Sequence, residues 1–188
     1  MYKKKPFFIV FEGIEGCGKS YQGKKLYNRF KKKGISTVLT REPGGTKSSE
    51  LIRNLILKDY FTKDSKEKFD KYTDTLLYLA ARNEHIKNKI KPALLKKKVV
   101  ICDRFIDSTL AYQVYGKKVE LNFIKNIHKK ILQGIKPNIV FVLKVTNQSS
   151  RKRLKKRKNK NRYDNFAQSF YSKAQNSCIR IAKNKKNY

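Results

Sequence analysis

Acidic side chains are scarce in this 188-residue chain: 14 Asp and Glu stand against 47 Lys and Arg, a formal net charge of +33. Such a field attracts polyanions, either phosphorylated metabolites or nucleic acid. Lysine is spread along the whole chain beside abundant Asn, Ile, Tyr and Phe, the mixture that A/T-rich codons give. A solvated cationic surface therefore explains the charge as well, and nucleic-acid contact is expected only nonspecifically, if at all. Long apolar runs are absent, which excludes a membrane-spanning helix. The segment Met1–Lys5 leads into only a short apolar stretch, Phe7 to Phe11. That is less than a signal peptide needs, and the expectation is a cytoplasmic protein. Cysteine is sparse too. Cys17, Cys102 and Cys178 are odd in number and far apart, against a disulfide framework or a metal knuckle.

The hydrophobic fraction of 39% suffices for the core of one domain, residues 1–188. Four short runs rich in branched or aromatic residues stand out: Phe7 to Phe11, Ser36 to Leu39, Val99 to Cys102 and Ile139 to Val145. Most are nearly continuous, the pattern of strands buried on both faces of a parallel sheet. Between them lie helical patterns. Gly18 to Lys33 stops before Gly34, a natural C-terminal cap. Thr73 to Lys91 is expected to end before Pro92, and Glu120 to Leu132 carries Leu121, Ile124, Ile127 and Ile131 at helical spacing. Strands alternating with helices predict an α/β fold, a parallel sheet with helices on both faces.

Residues Gly13-Ile14-Glu15-Gly16-Cys17-Gly18-Lys19-Ser20 satisfy G-x-x-x-x-G-K-[ST] in full, between a predicted strand and a predicted helix. The glycines let backbone N–H groups turn inward around the phosphates of a nucleoside triphosphate, and the helix N-terminus adds partial positive charge. Lys19 is expected at the β- and γ-phosphates, and the Ser20 hydroxyl on Mg²⁺. A second piece agrees: Val99 to Cys102 is a hydrophobic run that ends in the carboxylate of Asp103, the usual layout of the acid completing the magnesium site.

The ordered set FEGIEGCGKS (11–20), TREPGGT (40–46), LLYLAARNEHI (76–86), ICDRFIDSTLAYQ (101–113) and PNIVFVLKV (137–145) resembles the bacterial thymidylate kinases, from residue 7 to about residue 183. The resemblance implies a P-loop kinase that moves a phosphoryl group from ATP to dTMP, with Mg²⁺ as cofactor and a homodimer as the assembly. It assigns Glu15 to the acceptor's 3′-hydroxyl and Arg41, Arg53 and Arg104 to the acceptor phosphate. Tyr78 would stack on thymine and Arg82 would bond its carbonyl; the two are four apart on one helix face. Tyr112 would crowd the 2′ position, Ser108 and Gln113 would share that segment, and Phe105 would shape the pocket.

Some relatives carry a catalytic arginine in the phosphate loop, where this chain has Gly16; others supply it from a lid. The basic stretch Arg151 to Arg162, within a lid at about 148–165, takes the lid's place and offers Arg153, Arg157 and Arg162 as candidates. Lys144 stands where relatives often have an acid, and Asn161-Arg162-Tyr163-Asp164 replaces the usual Asp-Arg-x-Glu of the lid. Relatives usually continue past the point matching Tyr188, so the expected sheet lacks their C-terminal strand and helix. Two alternatives stand beside a thymidylate kinase: another P-loop nucleotide or nucleoside kinase, and a basic P-loop protein that binds nucleic acid.

Overall fold

A computed structural model describes residues 5–58, 67–156, 167–183 and 185. The elements in chain order begin with β1 (Phe7–Glu12), α1 (Lys19–Lys32), β2 (Thr37–Arg41), α2 (Lys47–Leu57) and α3 (Lys71–His85). A π-wound segment, Ile86–Ile90, joins α3 to α4 (Lys91–Leu95), and β3 (Val99–Asp103) follows. Next come α5 (Ile106–Thr109), a second π-wound segment (Leu110–Gly116) and α6 (Leu121–Ile131). The chain closes with β4 (Ile139–Val142), α7 (Asn147–Lys155) and α8 (Gln168–Lys183).

Among the described residues the sheet has four strands, all parallel, in the order β2-β3-β1-β4. Alternation along β1 explains its two faces. Phe8 and Val10 pack with Val100, Cys102, Ile86, Ile90 and Ala93. Ile9 and Phe11 pack with Val99 and Ile101 against Leu26, Tyr27 and Phe30 of α1. Helices thus cover both faces, which is why the strands read as continuous apolar runs. The connections leave Glu12, Arg41 and Asp103 together at the carboxyl ends of β1, β2 and β3, the rim where open α/β sheets take their ligands.

Several boundaries differ from those the sequence suggested. Gly34 does end α1, with φ +68°, a left-handed value that costs glycine nothing. The helix expected to stop before Pro92 instead runs through the π-wound segment, and Pro92 sits in the first turn of α4, where a missing N–H costs little. The last strand ends at Val142, not Val145. Beyond it the Gln175 amide of α8 donates to Val145 O and accepts from Val145 N, both at 3.0 Å, so a side chain replaces a neighbouring strand.

Phe8 is fully buried and meets Phe105 edge-on at 5.0 Å between centroids. Phe8→Ala should cost about 3–5 kcal/mol of unfolding free energy, measured by urea denaturation; a loss under about 1 kcal/mol would mean that this ring does not join β1 to the loop after β3.

Candidate active site

The loop between β1 and α1 is shaped by three left-handed glycines: Gly13 (φ +134°), Gly16 (φ +71°) and Gly18 (φ +101°). A Cβ on Gly13 would lie 2.5 Å from Leu143 O, and one on Gly16 would lie 2.9 Å from Ser150 O. The first contact presses the loop onto the chain after β4, and the second presses it onto α7. Ile14 and Cys17 belong to a core cluster, so from these positions only the backbone can serve a phosphate. Lys19 is buried, its Nζ donating to Ile14 O at 2.7 Å across the loop. The Ser20 hydroxyl donates to the Asp103 carboxylate, so the two oxygen ligands expected for magnesium are adjacent. Two hard donors and open solvent beside them suit a cation that keeps several of its waters.

Alongside this loop is a cavity of about 560 Å³. Glu15, Lys19 and Ser20 border it on the loop side; Arg41, Arg53, Tyr78, Arg82, Arg104, Ser108, Tyr112 and Gln113 supply much of the rest. Glu15 is held from two directions. Its Oε1 accepts from Arg104 Nη2 at 2.7 Å, and its Oε2 accepts from the Tyr112 hydroxyl. Burial alone would raise the Glu15 carboxyl, but Arg104, Lys19 and the Tyr112 hydroxyl outweigh it and hold the group ionised below its usual range. Arg104 takes φ +75°, rare for a residue with a side chain, right after β3. That turn swings its guanidinium over the Tyr112 ring, 5.0 Å from the centroid, and its Nη1 to Ser108 Oγ at 3.0 Å.

Arg41 donates to both carboxylate oxygens of Glu50 at 3.1 Å, is half exposed and borders the cavity. Arg53 Nη1 donates to Pro43 O at 2.6 Å. Arg82 is buried and strongly held. Its Nε donates to Glu42 Oε2 (2.7 Å), its Nη1 to Thr109 Oγ1 (2.7 Å) and to His128 Nε2 (2.9 Å), and its Nη2 to Phe105 O (2.8 Å). Four of the five guanidinium N–H groups are therefore taken by protein, leaving one Nη2 hydrogen for the cavity. Gln113 is 2% exposed, and its Nε2 has no hydrogen-bond partner. On a residue that borders the cavity, such an amide is ready for a ligand acceptor.

Phe105 stands behind the cavity wall, not on it. Its ring belongs to the core with Phe8 and lies 5.3 Å from the Arg82 guanidinium, which also donates to its carbonyl, so Phe105 reaches the site through Arg82. From α7, Ser150 Oγ donates to Glu15 O at 2.8 Å and Arg153 Nη1 to Gly16 O at 2.9 Å. One turn of helix thus grips two consecutive loop carbonyls. Arg157 and Arg162 lie outside the described residues, as does most of the expected lid beyond α7.

No sequence motif points to a role for the carboxylates behind these cations. Glu12 is buried and accepts from Phe105 N (2.8 Å), Ser108 N (3.2 Å) and Ser108 Oγ (2.6 Å), which ties the loop after β3 to β1. Burial, with Asp107 nearby, raises its carboxyl above the ordinary value. Glu42 accepts from Arg82 and, at 3.0 Å, from His85 Nδ1; His85 Nε2 lies 2.7 Å from Thr40 Oγ1. Burial pushes the Glu42 carboxyl up, but Arg82 and His85 more than offset it and keep it low. One signal was available: in a chain with 14 acids, those closing or following a strand merit notice.

Known proteins resemble this chain along nearly all its length. The family model described as thymidylate kinase matches residues 11–188. A thymidylate kinase of Wolbachia sp. subsp. Brugia malayi is 44% identical over 180 residues, covering 94% of this chain and 82% of the relative. One from Pelotomaculum thermopropionicum is 36% identical, covering 93% and 79%. The crystal structure of thymidylate kinase from Ehrlichia chaffeensis superposes with a TM-score of 0.75 at 34% identity, covering 97% of this chain and 84% of that one. With the phosphate loop, the parallel sheet and the arginine-lined cavity already in place, these matches leave one assignment: the chain belongs to the thymidylate kinase family.

Proposed function

We propose that this protein transfers the γ-phosphoryl group of ATP to dTMP, yielding ADP and dTDP. One observation carries the proposal: a single cavity has Lys19, Ser20 and Asp103 on one side and Arg41, Arg53, Arg104, Tyr78 and Arg82 on the other. The first set suits a triphosphate and the second a phosphorylated nucleoside. ATP sits in the loop Gly13–Ser20, its phosphates on backbone N–H groups and Lys19. Arginine forks grip phosphate oxygens in two places, so Arg41, Arg53 and Arg104 hold the acceptor phosphate. Tyr78 packs against the base, Arg82 offers its remaining N–H to a base carbonyl, and Gln113 adds an amide. Glu15 accepts from the 3′-hydroxyl, and Tyr112 fills the space a 2′-hydroxyl would need.

The nucleophile is an oxygen of the acceptor phosphate, already anionic, so no strong general base is required. It attacks the γ-phosphorus in line as the bond to the β–γ bridging oxygen breaks, and the charge ends on ADP. Ser20 and Asp103 would hold Mg²⁺, which supplies charge neutralisation on the phosphates when bound. Catalysis by the chain itself is positioning plus stabilisation of spreading charge by Lys19 and a lid arginine. Arg153 is the candidate supported by its place over the loop; Arg157 and Arg162 remain candidates by sequence alone. The kinase unit spans residues 1–188, with α7 opening the lid.

A homodimer fits an apolar patch on neighbouring helices: Leu51 (70% exposed) and Leu55 lie one turn apart on α2, and Leu76 is exposed on α3. No helix among the described residues is long and apolar enough to cross a membrane. The three cysteines are free and buried, as suits a reducing cytoplasm.

ADP release against a panel of nucleoside monophosphates tests the assignment. dTMP should exceed CMP, AMP and GMP by at least about a hundredfold in kcat/KM, because a site that hydrogen-bonds one base edge rejects bases that leave its polar groups unpaired. Equal values for dTMP and CMP would refute it. For the lid, Arg153→Ala should lower kcat by about 10³-fold with little change in KM for either substrate. A fall under about threefold, or roughly 0.7 kcal/mol, would take the finger role away from Arg153.

A further inference from the structure

His128 lies on α6 and does not border the cavity, yet it is buried and its Nε2 sits 2.9 Å from Arg82 Nη1. A guanidinium can only donate, so the imidazole accepts at Nε2 and carries its proton on Nδ1. Burial and the Arg82 charge drive its pKa down to about 3, in keeping with a neutral ring. The remaining contacts of Arg82 come from other parts of the fold: Glu42 after β2, Phe105 after β3 and Thr109 in α5. These three leave one Nη1 hydrogen to be satisfied, and His128 is what satisfies it. With it in place four of the five guanidinium N–H groups are held, and Arg82 borders the cavity with one Nη2 hydrogen left over.

We propose that His128 is a positioning residue for acceptor recognition: by accepting from Nη1 behind the site, it fixes the plane in which Arg82 presents its remaining N–H to the acceptor base, an inference that rests on Arg82 meeting that base. His128 is not among the residues that line the cavity, and Arg82, which is, carries its influence there. Removing the acceptor leaves a buried N–H unpaired, and a guanidinium so freed turns toward water or toward Thr109 and loses its aim. The donor side shares no contact with His128 and should not respond.

Steady-state kinetics of full-length variants test this, each first checked for a cooperative melting transition. His128→Leu should raise KM for dTMP about tenfold, the scale of one hydrogen bond to a buried charge, with kcat changed less than about threefold and KM for ATP unchanged. His128→Gln places an amide oxygen near the same spot and should return KM for dTMP to within about twofold of the parent. Should His128→Leu fail to fold, Thr109→Val removes the other acceptor on the same nitrogen and should raise KM for dTMP in the same way. Arg82→Lys separates the two levels. If it raises KM for dTMP while the folded variants that unseat Nη1 do not, the positioning role is wrong and Arg82's own role survives. If Arg82→Lys leaves KM for dTMP unchanged, Arg82 does not meet the base and the inference falls with it. A lowered melting temperature at unchanged KM would make His128 merely structural and would overturn the proposal.

Discussion

A carboxylate in the middle of a phosphate loop is the constraint around which this site is arranged. Glu15 sits in the loop proposed to hold a triphosphate, where an isolated negative charge would be costly. Arg104 at 2.7 Å and the Tyr112 hydroxyl offset that cost. To reach Glu15, Arg104 adopts a left-handed backbone conformation directly after β3. That turn is supported by Glu12, whose Oε1 accepts from the backbone N–H groups of both Phe105 and Ser108. One interaction thus links the donor loop, the end of β3 and the segment carrying Tyr112 and Gln113. Glu15 also belongs to the lid side, since Ser150 of α7 donates to its carbonyl.

The same device recurs around the cavity. Glu42 holds Arg82, and Glu50 holds Arg41. Each cation bordering the acceptor end has a carboxylate that sets its direction before any ligand arrives. A buried pair contributes little net stability, because desolvation cancels much of the attraction. Its value here is geometric: a pinned guanidinium loses little further entropy when it meets a phosphate or a base. The chain has few acids to spend, and it places Glu12, Glu15, Glu42 and Glu50 here rather than on its cationic surface.

What was legible in the sequence was whatever local pattern determines. The strands follow from continuous apolar runs, the phosphate loop from glycine spacing before a helix, and Asp103 from its place after Val99 to Cys102. Residues whose role depends on contacts between distant segments were not legible. His85 and His128 read as ordinary helix residues until Glu42 and Arg82 are brought to them across more than 40 positions. Glu42 was visible in the REPGG motif, but its partner was not. α7 was legible only as the start of a basic lid, not as a bounded helix, because it is polar on nearly every side. α8 was readable in principle, with Tyr171, Ala174, Cys178 and Ile181 at helical spacing and all buried, and its Gln175 explains why β4 ends early. Pro92 misled because a proline ends a helix only when it falls beyond the first turn.

The central claim is that the acceptor end of the cavity is built for a nucleotide that already carries a phosphate, held by preset arginines. Calorimetric titration of the protein with dTMP and, separately, with thymidine tests this most directly, since the two ligands differ only in that group. Two or more charge-assisted contacts predict that dTMP binds at least about a hundredfold more tightly. Affinities within about threefold of each other would contradict the account, because Arg41, Arg53 and Arg104 would then contribute nothing to acceptor binding.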